Sequence, residues 1–266
     1  MKENFIPGDA AFPYPRVCAH RGLCGAAPEN SLPAYFAAVE QGADEIEFDL
    51  WETRDGEIVS AHDSLLERVS DGEGRIWDHS LKELKRLDFG AKFSPAFAGL
   101  RIPALEEILA AFSRRVVMNV HVKGSEKSRR ISENGLKKIV SLLSEYRCEN
   151  HAYFMTGDEE TLLALRRLAP EIPRCCGTAP SLKTILSRAE KYDCGKIQLF
   201  QSKTMEKDAA FSPELIRRAK EKGLIVNVCP VETKEKALAL LRRGADTLLT
   251  DRFSLVYPAV HPSKKP

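Results

Sequence analysis

The sequence has little of what marks secreted, membrane-spanning or polyanion-binding proteins. No segment approaches the roughly 20 apolar residues of a membrane-spanning helix, and Met1–Pro15 holds no apolar stretch like a signal-peptide core. No Cys-x-x-Cys pair occurs. The seven cysteines, an odd number scattered from Cys18 to Cys229, fit reduced buried thiols better than a disulfide framework. Charge of one sign is missing too, because 40 basic and 38 acidic residues leave a formal charge of +2. Such a balance provides no global field for nucleic acid or anionic lipid, and the Lys264-Lys265 tail is too short to change this. The expectation is a cytoplasmic protein with no membrane span and no nucleic-acid partner, in which local basic groups bind any phosphate.

What is present fits one compact enzyme domain. The 266 residues are 43% hydrophobic, enough for a large core, and α/β barrels commonly reach about 250 residues as a single domain. Strand-like runs at Val17–His20, Glu45–Leu50, Val116–Val122, Ala152–Met155, Arg174–Cys176, Lys196–Phe200, Leu224–Val228 and Thr247–Thr250 alternate with helical patterns. The helical runs are Leu32–Gln41, Ala104–Phe112, Gly135–Glu145, Glu159–Leu168, Ser181–Lys191, Pro213–Lys222 and Lys234–Arg242. This alternation predicts a TIM (β/α)8 barrel, a single domain over residues 1–266. Residues 51–102 break the pattern as a small insertion after the second barrel strand. Within it a short helix starts at Ser80, with Glu83 placed for a capping box.

The chemistry concentrates between Asp44 and Asp63. Glu47 and Asp49 alternate with Ile46, Phe48 and Leu50, so in a strand both acids face one side and the apolar residues the other. Neighbouring acids seldom turn inward without a cation between them. Asp55-Gly56 predicts a two-residue hairpin turn with Arg54 opposite Glu57, which places Asp49 opposite His62. Upstream, His20 and Arg21 end a short strand, and a loop through Pro28-Glu29-Asn30-Ser31 leads into a helix with Ser31 as N-cap and Gly42 at its close. In a barrel, catalytic groups belong at the C-terminal ends of strands, and His20, Glu47, Asp49 and Asp251 all fall there.

The motifs His20-Arg21-Gly22, Pro28-Glu29-Asn30-Ser31, Gly42-Ala43-Asp44, Glu47-x-Asp49, Thr53-Arg54-Asp55-Gly56 and His62-Asp63, in this order and spacing, resemble those of the glycerophosphodiester phosphodiesterase family. The resemblance runs on through Gly74–Gly90 and Gly244-Ala245-Asp246 to Thr250-Asp251. It implies metal-dependent hydrolysis of glycerophosphodiesters to glycerol 3-phosphate and an alcohol such as choline or ethanolamine, by way of a cyclic phosphate. His20 and His62 then supply the acid and base. Arg21 and Lys123 bind phosphate. From their places in the chain, Glu29 is expected to pin the loop after Arg21, and Asp63 either to orient His62 or to cap the following turn.

Two positions depart from the family pattern. Where the third barrel strand usually supplies a third carboxylate, this chain has His121, with Lys123 two residues on. The expected metal set is therefore Glu47, Asp49 and His121, holding one divalent ion. A set with one imidazole and one less negative charge is expected to take Mn, Co, Zn or Mg, with Ca less suited. Cys229-Pro230-Val231-Glu232 stands where the family resembles Trp-Thr-Val-Asn, which removes an aromatic wall from the substrate pocket. Two other readings fit the same residues. One is a barrel that binds phosphodiesters without catalysis; the other is a phospholipase D-like lyase acting on lysophospholipid.

Overall fold

In the computed structural model, residues 12–124, 129–177, 182–200 and 213–263 are described. The Lys264-Lys265 tail, Ser181 and most of the Met1–Pro15 segment lie outside them. In chain order the elements are β1 (Arg16–Ala19), α1 (Leu32–Glu40), β2 (Glu45–Glu52), β3 (Ile58–Ser60), α2 (Leu81–Leu84), α3 (Leu105–Phe112), β4 (Val117–Val122), α4 (Glu133–Glu145) and β5 (Ala152–Thr156). They continue with α5 (Glu159–Leu168), β6 (Arg174–Gly177), α6 (Leu182–Lys191), β7 (Lys196–Phe200), α7 (Pro213–Glu221), β8 (Ile225–Cys229), α8 (Lys234–Arg242), β9 (Thr247–Thr250) and α9 (Phe253–Val260).

Parallel pairing runs β1-β9-β8-β7-β6-β5-β4-β2, and a further β1–β2 pairing closes the barrel. The expected (β/α)8 barrel is thus present, with each of the eight sequence-predicted strands in place to within about two residues. The alternation of β2 explains its role. Ile46, Phe48 and Leu50 pack outward into the main core between barrel and helices, which leaves Glu45, Glu47 and Asp49 facing the barrel interior. On the neighbouring β4, Met118, Val120 and Val122 pack outward in the same way. Parallel register then sets Glu47 beside Asn119 and Asp49 beside His121. Helix α9, absent from the sequence reading, closes the ring by packing Phe253, Val256 and Tyr257 into the core. Its internal Pro258 interrupts the pattern by which helices are recognised.

The hairpin differs from expectation by one residue. Leu50 pairs with Ser60, Trp51 with Val59 and Glu52 with Ile58, so Asp49 lies opposite Ala61, whose N–H bonds to the Asp49 carbonyl at 3.1 Å. A two-residue type I′ turn needs positive φ at both central positions, but here only Gly56 has one, at 78°. Thr53 N–H bonds to Glu57 O at 2.8 Å, and the loop is the three residues Arg54-Asp55-Gly56. Beyond it the insertion builds its own small core from Trp51, Val59, Leu66, Ile76, Leu84 and Ile102. The capping box at Ser80 and Glu83 forms as expected, and Trp51 and Trp77 pack at 5.5 Å within the insertion. Among the described residues, no helix is long and apolar enough to cross a membrane.

Candidate active site

The C-terminal rim of the barrel brings the expected residues together. Glu47 and Asp49, both from β2, are 1% and 0% exposed. His121 Nδ1, from β4, is 2.8 Å from Asp49 Oδ1 and 3.4 Å from Glu47 Oε1. Lys123, just past β4, places Nζ 3.2 Å from the same Asp49 oxygen. Burial opposes a charge on Asp49, yet Lys123 and His121 hold its carboxyl well below the usual carboxylate range. Glu47, Asp49 and His121 each offer a ligand atom, all within 4.8 Å of one another, a group that could hold a metal ion. Among the described residues, no aligned hydrogen bond reaches Asp49 Oδ1. A buried acceptor with spare lone pairs fits a bound cation.

The loop after β1 supplies the opposite wall. Gly22 is required there: its φ is 79°, and a Cβ would come within 2.7 Å of the Ala34 backbone. Arg21, itself at φ 59°, donates its backbone N–H to Glu47 Oε2 at 3.0 Å. Its guanidinium lies between Glu29 at 3.3 Å and Asp49 at 3.8 Å. Glu29, expected to pin the loop after Arg21, contacts the Arg21 guanidinium itself, and a second cation shares it. Arg68 of the insertion donates to both Glu29 oxygens at 2.6 and 3.1 Å and also bonds to Asp63. Nothing local in the sequence marks the contact of Arg68 with Glu29, which lies 39 residues away.

Both histidines are held through Nδ1 by a carboxylate, which directs Nε2 toward the site. His20 Nδ1 is 2.7 Å from Asp251 Oδ1, and His62 Nδ1 is 2.7 Å from Asp63 Oδ1. Asp63 was expected in that role; Asp251 was noted only for its place at the end of β9. Their surroundings push the two imidazoles in opposite directions. Burial acts to lower the pKa of His20, but the Asp251 hydrogen bond and the Glu47 charge outweigh it and raise it above 6.5. For His62, burial together with Lys123 and Arg21 outweighs Asp49 and Asp63, and the pKa falls below 6.5.

Asn30 is a site residue whose role sequence reasoning missed. Its Nδ2 donates to Asp49 Oδ2 at 2.9 Å, and its Oδ1 accepts from Asp49 N at 3.1 Å and from Tyr35 and Ser60 hydroxyls at 3.0 Å. Its φ of 54° is a conformation asparagine tolerates better than most residues. The substituted segment near the C-terminus also lies close by: Cys229 packs with Cys18 and Leu249, and Glu232 Oε1 accepts from Asp251 N at 3.5 Å. Beside His62 opens a cavity of about 290 Å³ that reaches under the insertion.

The chain is similar in sequence and fold to known proteins. The model of the glycerophosphoryl diester phosphodiesterase family matches residues 20–255. A glycerophosphodiester phosphodiesterase of Caldanaerobacter subterraneus subsp. tengcongensis is 30% identical over 247 residues, which cover 88% of this chain and 93% of that protein. Among solved structures, an Oleispira antarctica phosphodiesterase in complex with the product sn-glycerol-3-phosphate is 28% identical, with a TM-score of 0.82 over 93% of this chain and 97% of its own. A glycerophosphodiester phosphodiesterase from Agrobacterium tumefaciens, 24% identical, shares the fold with a TM-score of 0.76 over 91% of this chain and 98% of its own.

Proposed function

This chain belongs to the glycerophosphoryl diester phosphodiesterase family and is a phosphoric diester hydrolase; from that premise we propose that it cleaves glycerophosphodiesters with one divalent metal and a pair of histidines. The observation that carries the proposal is the carboxylate behind each of His20 and His62, on a rim shared with Glu47, Asp49 and His121. Glu47, Asp49 and His121 would hold the ion, which when bound neutralises charge on the phosphate and polarises oxygen.

The remaining work falls to the chain itself. Arg21 and Lys123 face the phosphate as a planar fork and a point charge, and Glu29 with Arg68 keeps Arg21 in place. In the first step one histidine takes the proton of the glycerol 2-hydroxyl. That oxygen bonds to phosphorus, the bond to the alcohol breaks, and the other histidine protonates the departing oxygen. The cyclic phosphate is then opened by water with the histidines exchanging roles, so each is acid once and base once and the pair ends as it began. Its phosphoryl product is glycerol 3-phosphate.

Replacing a carboxylate by His121 leaves two negative charges facing a divalent cation, so the set favours Mn²⁺, Co²⁺ or Zn²⁺ over Ca²⁺. The test is release of glycerol 3-phosphate from glycerophosphocholine and glycerophosphoethanolamine by metal-stripped protein resupplied with each ion. Release is expected with the transition ions. Restoration by Ca²⁺ alone would overturn the metal assignment, silence with every ion would overturn the reaction, and turnover of an ester lacking the 2-hydroxyl would overturn the cyclic route.

A further inference from the structure

The 290 Å³ cavity beside His62 is lined by none of Glu47, Asp49, His121, Arg21 or Lys123. If the glycerol half of the substrate lies at the metal-binding group, as the proposed reaction requires, the cavity faces the other half. His62 lines the boundary between them. The remaining walls come largely from the insertion, with Phe89, Phe93 and Ile102 as apolar surface and Arg68, Lys92 and Arg101 as charged groups.

Their charges are unequally cancelled. Arg68 is fully engaged by Glu29 and Asp63, and Glu29 is the sole acidic residue among the cavity's lining groups. Lys92 Nζ instead donates to the backbone carbonyl of Glu67. Arg101 Nη1 donates to the carbonyls of Arg86 and Leu87 at 2.7 and 2.8 Å. The nearby carboxylates of Glu67 and Asp88 are turned toward backbone N–H groups, of Gly74 for the first and of Gly90, Ala91 and Gly99 for the second. Lys92 and Arg101 are thus positioned by neutral acceptors, and Glu67 and Asp88 attract them across space without a direct ion pair, so part of their charge is left for a ligand. An ammonium group would find two phenyl rings here, but it would also meet these two cations.

We infer that the cavity seats the leaving alcohol and selects alcohols that carry an anionic group, a phosphate or carboxylate, over those that carry an ammonium group. The inference rests on the proposed reaction. Lys92 and Arg101 contact the anionic group, and the rings of Phe89 and Phe93 cover the carbon chain.

Three glycerophosphodiesters of two-carbon alcohols test this, ending in ammonium (glycerophosphoethanolamine), in hydroxyl, and in phosphate. Each is assayed for glycerol 3-phosphate release with the best-activating metal. The expected order of kcat/KM is phosphate, then hydroxyl, then ammonium, with about tenfold between the first two from charge-assisted contacts. Lys92→Gln combined with Arg101→Gln is expected to bring the phosphate-to-hydroxyl ratio close to one, and each single variant to lower it part of the way. The exposed Lys92 gives a variant that retains the fold if the double does not. Equal turnover of all three esters, a preference for ammonium, or a ratio that survives the substitutions would overturn the inference and leave the family reaction standing. No release from any ester would instead remove the reaction on which the inference rests.

Discussion

Glu45 and Asp49 point into the barrel from the same face of β2, one near its floor and one at its rim, and both are fully buried. At the floor, Glu45 receives Arg16 Nη1 at 3.2 Å, Lys196 Nζ at 3.4 Å and the Tyr153 hydroxyl at 2.8 Å. Lys196 in turn lies 3.9 Å from the centroid of the Tyr153 ring. Both oxygens are occupied by groups of the protein. At the rim, Asp49 shares the His121 ring with a second carboxylate, Glu47, and one oxygen is approached only off-axis. Both side chains are carboxylates on one face of one strand, so what separates an internal fastening from a candidate site is height along the barrel axis. In barrels of this kind the rim is where loops bring reactive groups together.

The largest effect that would sharpen this contrast is at the rim. His62→Ala should lower kcat by about 10²- to 10⁴-fold, with calorimetric metal binding retained; near-normal turnover would break the assignment. At the floor, Glu45→Gln should leave Arg16 and Lys196 as uncompensated buried charges and cost about 3–5 kcal/mol in urea unfolding. Its activity where folded should stay near the parent's, and a loss of activity without loss of stability would erase the distinction between the two ends. His121→Glu should restore a third carboxylate and shift activation toward Mg²⁺ and Ca²⁺, read as the ratio of rates with Ca²⁺ and Mn²⁺. An unchanged ratio would take His121 out of the ligand set.

The smallest effect expected is a displaced pH limb. The pH profile of kcat/KM should be bell-shaped, because one histidine must be protonated and the other neutral. On the proposed reaction the acid limb is expected from His62, lowered from the ordinary imidazole value, and the alkaline limb from His20, raised from it. Asp251→Asn removes the hydrogen-bonded charge that raises His20, so the alkaline limb should move to lower pH while the acid limb stays. Movement of the acid limb instead would reverse the assignment of the limbs.

Much of this was legible in the sequence because it is periodic or local. The alternation of β2 revealed the inward acids, and the strand and helix runs revealed the barrel. What was illegible depends on fine backbone geometry or on distant partners. Asp55-Gly56 named a turn but not its length, and the single positive φ at Gly56 moved the register by one. Arg68, Asp251 and Asn30 act through residues 39, 231 and 19 positions away, so even the motifs that include Asn30 and Asp251 do not show what these two side chains hold.

Asn30 ties three segments to one carboxamide: its own loop, the backbone and side chain of Asp49, and Ser60 on β3. Loop placement and carboxylate rotamer are thereby a single degree of freedom, fixed when the chain folds. A metal ion or substrate arriving later meets ligands whose torsions are already chosen, and the entropy of ordering them is lost before binding begins. Measured binding should accordingly carry little of the ordering penalty that a flexible set of ligands would impose.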